Sequence, residues 1–157
     1  MTDATVGSWD HPSVYTARKR WDDLSCVHRN WRGTDRLRVL HGYARSVEIE
    51  FTANALDASG VVIDFSAMKS IQQVLEQQFD HTLLVARDDP LCNKLMELEQ
   101  DGAANVKVMP DTSLEGSAKW VADTVSVILK RETADRVRIA RVEMRESPKN
   151  AVYLRLN

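Results

Sequence analysis

Residues 39–51 read VLHGYARSVEIEF. Val47, Ile49 and Phe51 alternate with Ser46, Glu48 and Glu50, the two-residue period of a strand with one face in a core and the other toward solvent. His41 stands at the mouth of this strand. A second ligand is expected two residues on, where side chains return to the same face, and that position holds Tyr43. The stretch leaves three readings open: a metal strand with a changed ligand, a site that has lost its metal, or a plain strand.

Working outward, the segment from about Ser13 to His28 suits an extended strand, and RNWRGTDR (29–36) is a polar loop around Gly33. The second strand covers about Leu37 to Ala53, and NALDASG (54–60) is a turn region. DFSAMKSIQQVLEQQF (64–79) is helical, because Phe65, Met68, Ile71, Val74, Leu75 and Phe79 recur at spacings of three and four, with Asp64 as N-cap. A long connection follows and includes the helix-like PLCNKLMELEQ (90–100). A second long helix runs from about Ser113 to Arg131, with Leu114, Ala118, Val121, Val125 and Ile128 or Leu129 on its core face. RVRIARVEM (136–144) and AVYLRL (151–156) close the chain as strands around a turn at Pro148-Lys149-Asn150.

The order ββααββ predicts an α+β protein, an antiparallel four-stranded sheet with two helices on one face. Residues 1–12 read as a loose N-terminal tail, and 13–157 as a single domain. Four strands leave sheet edges to cover, and assembly into a larger closed sheet is one remedy.

The chain has 157 residues and a formal net charge of −2, which does not favour nucleic acid as main partner. No apolar run approaches the ~20 residues that span a bilayer. The start, MTDATVGSWDHPSV, lacks a basic segment followed by an apolar run, so a cytoplasmic location is expected. Cys26 and Cys92 make no disulfide framework and are expected as thiols. Between His11 and Arg45 eight Lys/Arg stand against three acids: a solvated face, or a basic rim for a phosphorylated small molecule.

Four histidines are present, His11, His28, His41 and His81. His28 ends LSCVHR and His41 begins HGY on consecutive strands, so a hairpin can bring them face to face. His81 follows Asp80, and a carboxylate beside an imidazole orients it and raises its basicity, which suits proton transfer.

Six segments in order resemble the 6-pyruvoyltetrahydropterin synthases and the bacterial 6-carboxytetrahydropterin synthases, the QueD group of queuosine biosynthesis. LSCVHR resembles F-x-A-A-H-R, and LHGYARSVEIEF resembles L-H-G-H-x-Y-x-V. GVVIDFSAMK is similar to G-M-V-I-D-F-x-x-L-K, and FDHTLL to L-D-H-x-x-L-N. TSLEGSAKWV resembles P-T-x-E-N-L-A-x-W-I, and RESPKNAVY resembles x-E-T-x-x-x-x-A-x-Y. The resemblance covers about residues 21–155.

It implies the tunnelling fold (T-fold), assembled as a trimer that pairs into a hexamer. It also implies a lyase acting on 7,8-dihydroneopterin triphosphate or a related pterin, with zinc held by three histidines. His28 and His41 match two zinc ligands, Asp80 and His81 the proton-transfer pair, and Glu146 the residue that holds the pterin's amine edge. Glu115 keeps the place of the motif's Glu. The third zinc His corresponds to Tyr43, the catalytic Cys to Leu37, and the Asn after the Glu to Gly116. A phenol must lose a proton with a pKa of about 10 before it binds zinc well. Tyr43, Cys26 on the His28 face, or His11 from the tail are the candidates for the third position. The four Trp (Trp9, Trp21, Trp31, Trp120) read as packing or subunit contacts. The alternatives are an enzyme of the same fold acting on another pterin or purine-like substrate, and a homologue that binds such a ligand or a partner subunit without turnover.

Overall fold

The computed structural model describes residues 13–157. Along the chain lie β1 (Tyr15–His28), a 3-10 turn (Asp35–Arg38), β2 (His41–Ala53), α1 (Phe65–Phe79), β3 (Thr82–Ala86) and α2 (Cys92–Gln100). They are followed by β4 (Val106–Met109), α3 (Leu114–Glu132), β5 (Val137–Ser147) and β6 (Asn150–Arg155). The class is α+β. The sheet, however, has six strands in the order β4-β3-β1-β2-β5-β6, not four, and three α-helices accompany it, not two. The added strands β3 and β4 pair in parallel, β3 with β1 and β4 with β3. All five residues of β3 are buried, so it lacks the alternation that betrays a half-solvated strand. β2 begins only at His41, because Leu37 belongs to the 3-10 turn. The expected tail, with Trp9 and His11, lies outside the described residues.

The core forms where α1 and α3 lay their apolar faces on β1, β2 and β5. Ile71, Leu75 and Phe79 meet Val121, Val125 and Leu129 above Val47, Ile49 and Phe51, all essentially without exposure. Phe65, expected in the α1 stripe, is 83% exposed at the first helical position. Trp120 packs edge-on against Phe79 with centroids 5.4 Å apart. Leu83 and Val85 turn the other way, toward Leu95 of α2, while Leu84 joins the main core. Asp64 caps α1 by accepting from the Ala67 amide (2.8 Å), and Ser113 caps α3 by accepting from the Gly116 amide (3.0 Å). Gly116 is a packing requirement: a Cβ there would lie 2.5 Å from the Cβ of Asp111.

β1 and β2 form a long antiparallel pair in which Cys26 faces Tyr43 and His28 faces His41. One extra residue in β1 between Trp21 and Leu24 breaks the register, with Asp23 at φ 62. The core-facing row of β1 is therefore Trp21, Leu24, Cys26 and His28. A second irregularity, between Glu50 and Phe51, lets β5 pass from Val137 and Ile139 to Val142 and Met144 as its core-facing residues.

Candidate functional site

The core-facing row of β2 does not stay apolar. From Phe51 it runs back through Ile49 and Val47 to Arg45, Tyr43 and His41. At this end of the sheet the His28 and His41 rings lie 4.5 Å apart, and the Tyr43 ring is 6.4 Å and 5.6 Å from them. His28 is buried, and neither of its ring nitrogens makes a well-formed hydrogen bond among the described residues, although the Thr112 backbone lies close enough to act on the ring. Burial, then the Arg45 charge, then His41 push its pKa down to about 3, against a weak opposing pull from the Thr112 backbone, so the ring is neutral. The Nδ1 of His41 lies 2.7 Å from the Val39 carbonyl, which makes that nitrogen the donor.

Arg45 is fully buried beneath the first turn of α3. Its Nη1 donates to Ser117 Oγ (2.7 Å), its Nη2 to the Thr112 carbonyl (3.1 Å), and its Nε to nothing. Thr112 in turn donates its Oγ1 proton to the Arg29 carbonyl (2.8 Å). The Arg29 guanidinium grips Asp89 in a two-pronged ion pair, Nε to Oδ2 at 2.7 Å and Nη2 to Oδ1 at 2.9 Å. Burial would raise the Asp89 carboxyl, yet the Arg29 bonds and the Leu91 amide hold it below its ordinary value. The end of β1 is thus clamped to the segment after β3, and through Thr112 to the start of α3.

Asp80 and His81 form a separate pair at the entry to β3. Asp80 Oδ1 lies 3.0 Å from His81 Nδ1 and accepts from the Ser25 amide (3.1 Å). The His81 amide donates to the Ser25 carbonyl at 2.6 Å, and the residue sits at φ 55. Its ring is 86% exposed and borders a cleft of about 370 Å³ with Ser25, Val27, Leu40 and Leu83. Glu146 is half-buried where β5 slips register against β6, accepts from Asn150 Nδ2 (3.0 Å), and lies within electrostatic reach of Arg45. Glu115 sits in the first turn of α3, beside a cleft of about 330 Å³ shared with Asp111, Lys119 and Trp120. Cys26 is buried, and burial pushes its thiol above the ordinary value, which suits a small core residue better than a thiolate. Leu37, in the place of the Cys, is half-exposed beside Val39 and Leu40, which are also exposed.

His28, His41, Tyr43 and Arg45 are thus brought together, with Glu146 in electrostatic reach; the Asp80–His81 pair borders a different cleft, with Ser25 and Val27 of the outward row of β1, and Glu115 lines a third on α3. Two imidazoles suit a zinc ion, but among the described residues no third His, Cys, Asp or Glu converges on them. The third face is a phenol, and behind it stands a buried guanidinium whose charge already bears on His28. Among the described residues this donor set does not fit a zinc with three protein ligands; His11, the other candidate, lies outside them. Arg45 was readable as a charge in an apolar row; Thr112 and Ser117 lay in the segment TSLEGSAKWV without a role assigned and Asp89 carried no signal, because their roles depend on contacts 60 or more residues apart.

The architecture has close counterparts among solved structures. An uncharacterised protein from Wolinella succinogenes superposes with a TM-score of 0.76 at 19% identity, covering 92% of this chain and 99% of that one. The 6-pyruvoyltetrahydropterin synthase of Plasmodium vivax gives 0.63 at 17% identity, covering 91% and 99%. These likenesses define the fold class, the T-fold scaffold of the tetrahydropterin synthases. The profile of the 6-pyruvoyl tetrahydropterin synthase family matches residues 17–157, and the chain belongs to that family. Among curated proteins, the 6-carboxy-5,6,7,8-tetrahydropterin synthase of Rickettsia typhi is 33% identical over 76 residues, 48% of this chain and 55% of the relative. Its namesake from Rickettsia conorii is 35% identical over 68 residues, 43% and 49%. In these comparisons the chain spans about half the length of the curated relatives it matches.

Proposed function

We propose that this chain is a carbon–oxygen lyase acting on 7,8-dihydroneopterin triphosphate or a related pterin, in the cytoplasm and as a trimer or hexamer. The observation that carries the reading is the convergence of His28, His41 and Tyr43 on one face of the sheet, with His28 buried and both its nitrogens unpartnered. A buried imidazole without partners is costly, and a ligand that hydrogen-bonds to it relieves that cost. Glu146 accepts the paired N–H groups of the pterin's amine edge. His81, polarised by Asp80, moves the proton. Leu37 has no group to share that work, so the Asp80–His81 pair carries it, with the Tyr43 hydroxyl lining the pocket and Glu115 at its margin. The exposed apolar residues Val27, Leu37, Val39 and Leu40 and the exposed His81 ring support burial of this end of the sheet between copies of the chain. The basic residues around the β1–β2 connection suit a phosphorylated substrate. A zinc ion is not used in this scheme, because its donor set is incomplete among the described residues.

A second reading, pterin or purine-like binding without turnover, is favoured by the apolar Leu37 and by Tyr43. Incubation with dihydroneopterin triphosphate separates the two, reading triphosphate release and bound pterin on the same sample. Release that falls at least about 100-fold in His81→Ala supports the lyase. Bound pterin without release, lost in Glu146→Gln, supports the second reading. Absence of both release and binding overturns both.

A further inference from the structure

His81 borders a cleft of about 370 Å³, within the roughly 300–1,000 Å³ of small-molecule sites. Val27, Leu40, Leu83, Leu98 and Ala103 give it largely apolar walls. His81 and Asn105, both exposed, supply polar groups, while the Thr82 hydroxyl is already bonded to the Gln78 carbonyl (2.9 Å). Among the described residues no lysine, arginine or carboxylate lines the cleft. Two of its walls are held firmly. His81 sits at φ 55, a left-handed conformation that a residue other than glycine adopts at a cost. Its amide is tied to the Ser25 carbonyl (2.6 Å), and its Nδ1 faces Asp80 Oδ1 (3.0 Å). The second firm wall is the end of α2. Gly102, at φ 73, closes that helix: its amide donates to the Glu99 carbonyl (3.0 Å) and the Ala103 amide to the Leu98 carbonyl (2.8 Å), the paired bonds of a Schellman cap. The Asn105 carbonyl then accepts from the Leu83 amide (2.8 Å). Ala103 thus offers a single methyl group to the cleft from a fixed backbone.

We propose that this cleft holds the short carbon chain borne by the substrate ring against His81, and that Ala103 sets how long that chain can be. The inference rests on the pterin reading above for its ligand class. Walls without charged groups disfavour phosphate, so the chain enters and its phosphates stay outside. Hydroxyls on the chain find the His81 imidazole and the Asn105 amide as partners. With Nδ1 against Asp80, Nε2 is the His81 nitrogen left for the chain. Ala103 has no group that moves a proton; a larger side chain there only takes up room. It is a specificity-determining residue, and the capped end of α2 is what keeps it in place.

The test measures binding to the full chain of two probes that differ in chain length, 6-hydroxymethyl-7,8-dihydropterin and the longer 7,8-dihydroneopterin. Ala103→Phe should weaken 7,8-dihydroneopterin at least about tenfold and the hydroxymethyl probe less than about twofold, since only the longer chain reaches the filled wall. Ala103→Ser, of similar size, should leave both affinities within about twofold of the unaltered chain. The inference is overturned if Ala103→Phe weakens both probes alike, or neither. Should that variant fail to fold, as judged by circular dichroism, Ala103→Val is read in its place, with a split between the probes of at least about threefold. No split there overturns the inference as well. If the unaltered chain binds neither probe, the pterin reading falls and this inference with it. If it binds both and the enlarged side chain causes no split, the inference falls alone.

Discussion

The two halves of β2 follow the same alternation and bury the same face, yet they bury opposite chemistry. The C-terminal half sends Val47, Ile49, Phe51 and Ala53 into the core, each without measurable exposure. The N-terminal half sends His41, Tyr43 and Arg45 toward the same layer, where α3 presents Ser117 and the loop before it the Thr112 carbonyl in place of aliphatic side chains. In the first half every group has what it needs, since apolar surface asks only for contact. In the second, Arg45 Nε and both nitrogens of His28 are buried and lack partners. One half holds the fold together by contact alone, and the other concentrates buried polar atoms without hydrogen-bond partners among the described residues.

The sharpest test of this contrast sets Phe51→Ala against Arg45→Met. Phe51→Ala empties a fully buried position and should cost about 3–5 kcal/mol. Arg45→Met removes a buried charge that has no ion-pair partner but leaves Ser117 Oγ and the Thr112 carbonyl without their donor, so it should cost about 1–3 kcal/mol, less than Phe51→Ala. Denaturant midpoints measure both; equal losses would break the comparison. Asp89→Ala comes next. It strands the half-buried Arg29 and loosens the clamp on the site end of β1, an expected loss of about 3 kcal/mol.

A smaller effect follows from His28. Its folded pKa, about 3, lies below the value of 6.5 for an unburied His. Between these values the unfolded chain binds the proton and the folded chain does not. The stability due to a neutral His28 is therefore complete above pH 6.5 and is lost as pH falls toward 3. The slope from this one group is at most about 1.4 kcal/mol per pH unit. It should vanish in His28→Phe, which unfolding at pH 5 and pH 7 would show. The smallest effect belongs to His81→Ala. The ring is exposed and its bond to Asp80 is at the surface, so stability should change by less than about 0.5 kcal/mol. A large loss there would make His81 structural and count against the proton-transfer role proposed for it.

The strands with one wet face and the two long helices were legible because period two and period 3.6 leave different prints. β3 was not, since TLLVA is buried on both faces and reads the same as a stretch of helix. β4 has only four residues and pairs with a strand more than twenty positions upstream. The His28–His41 meeting was readable from the hairpin. What Arg45 lacks was not, because an unpartnered nitrogen is a property of its surroundings: Ser117 and Thr112 arrive from a helix and loop 67 or more residues away.

The residue that β1 carries in excess between Trp21 and Leu24 acts as a phase switch. Counted by strict alternation from Trp21, it is Ser25 and Val27 that would look inward, and Cys26 and His28 that would look out. The left-handed step at Asp23 shifts the count by one and reverses the outcome. The imidazole pair is therefore addressed by a position upstream that touches none of its atoms. Deleting Asp23 would make Trp21, Asp22 and Leu24 pair regularly with Val47, Ser46 and Arg45 and leave Cys26 and His28 facing inward, whereas straightening the bulge with every residue kept would turn both to the outer face.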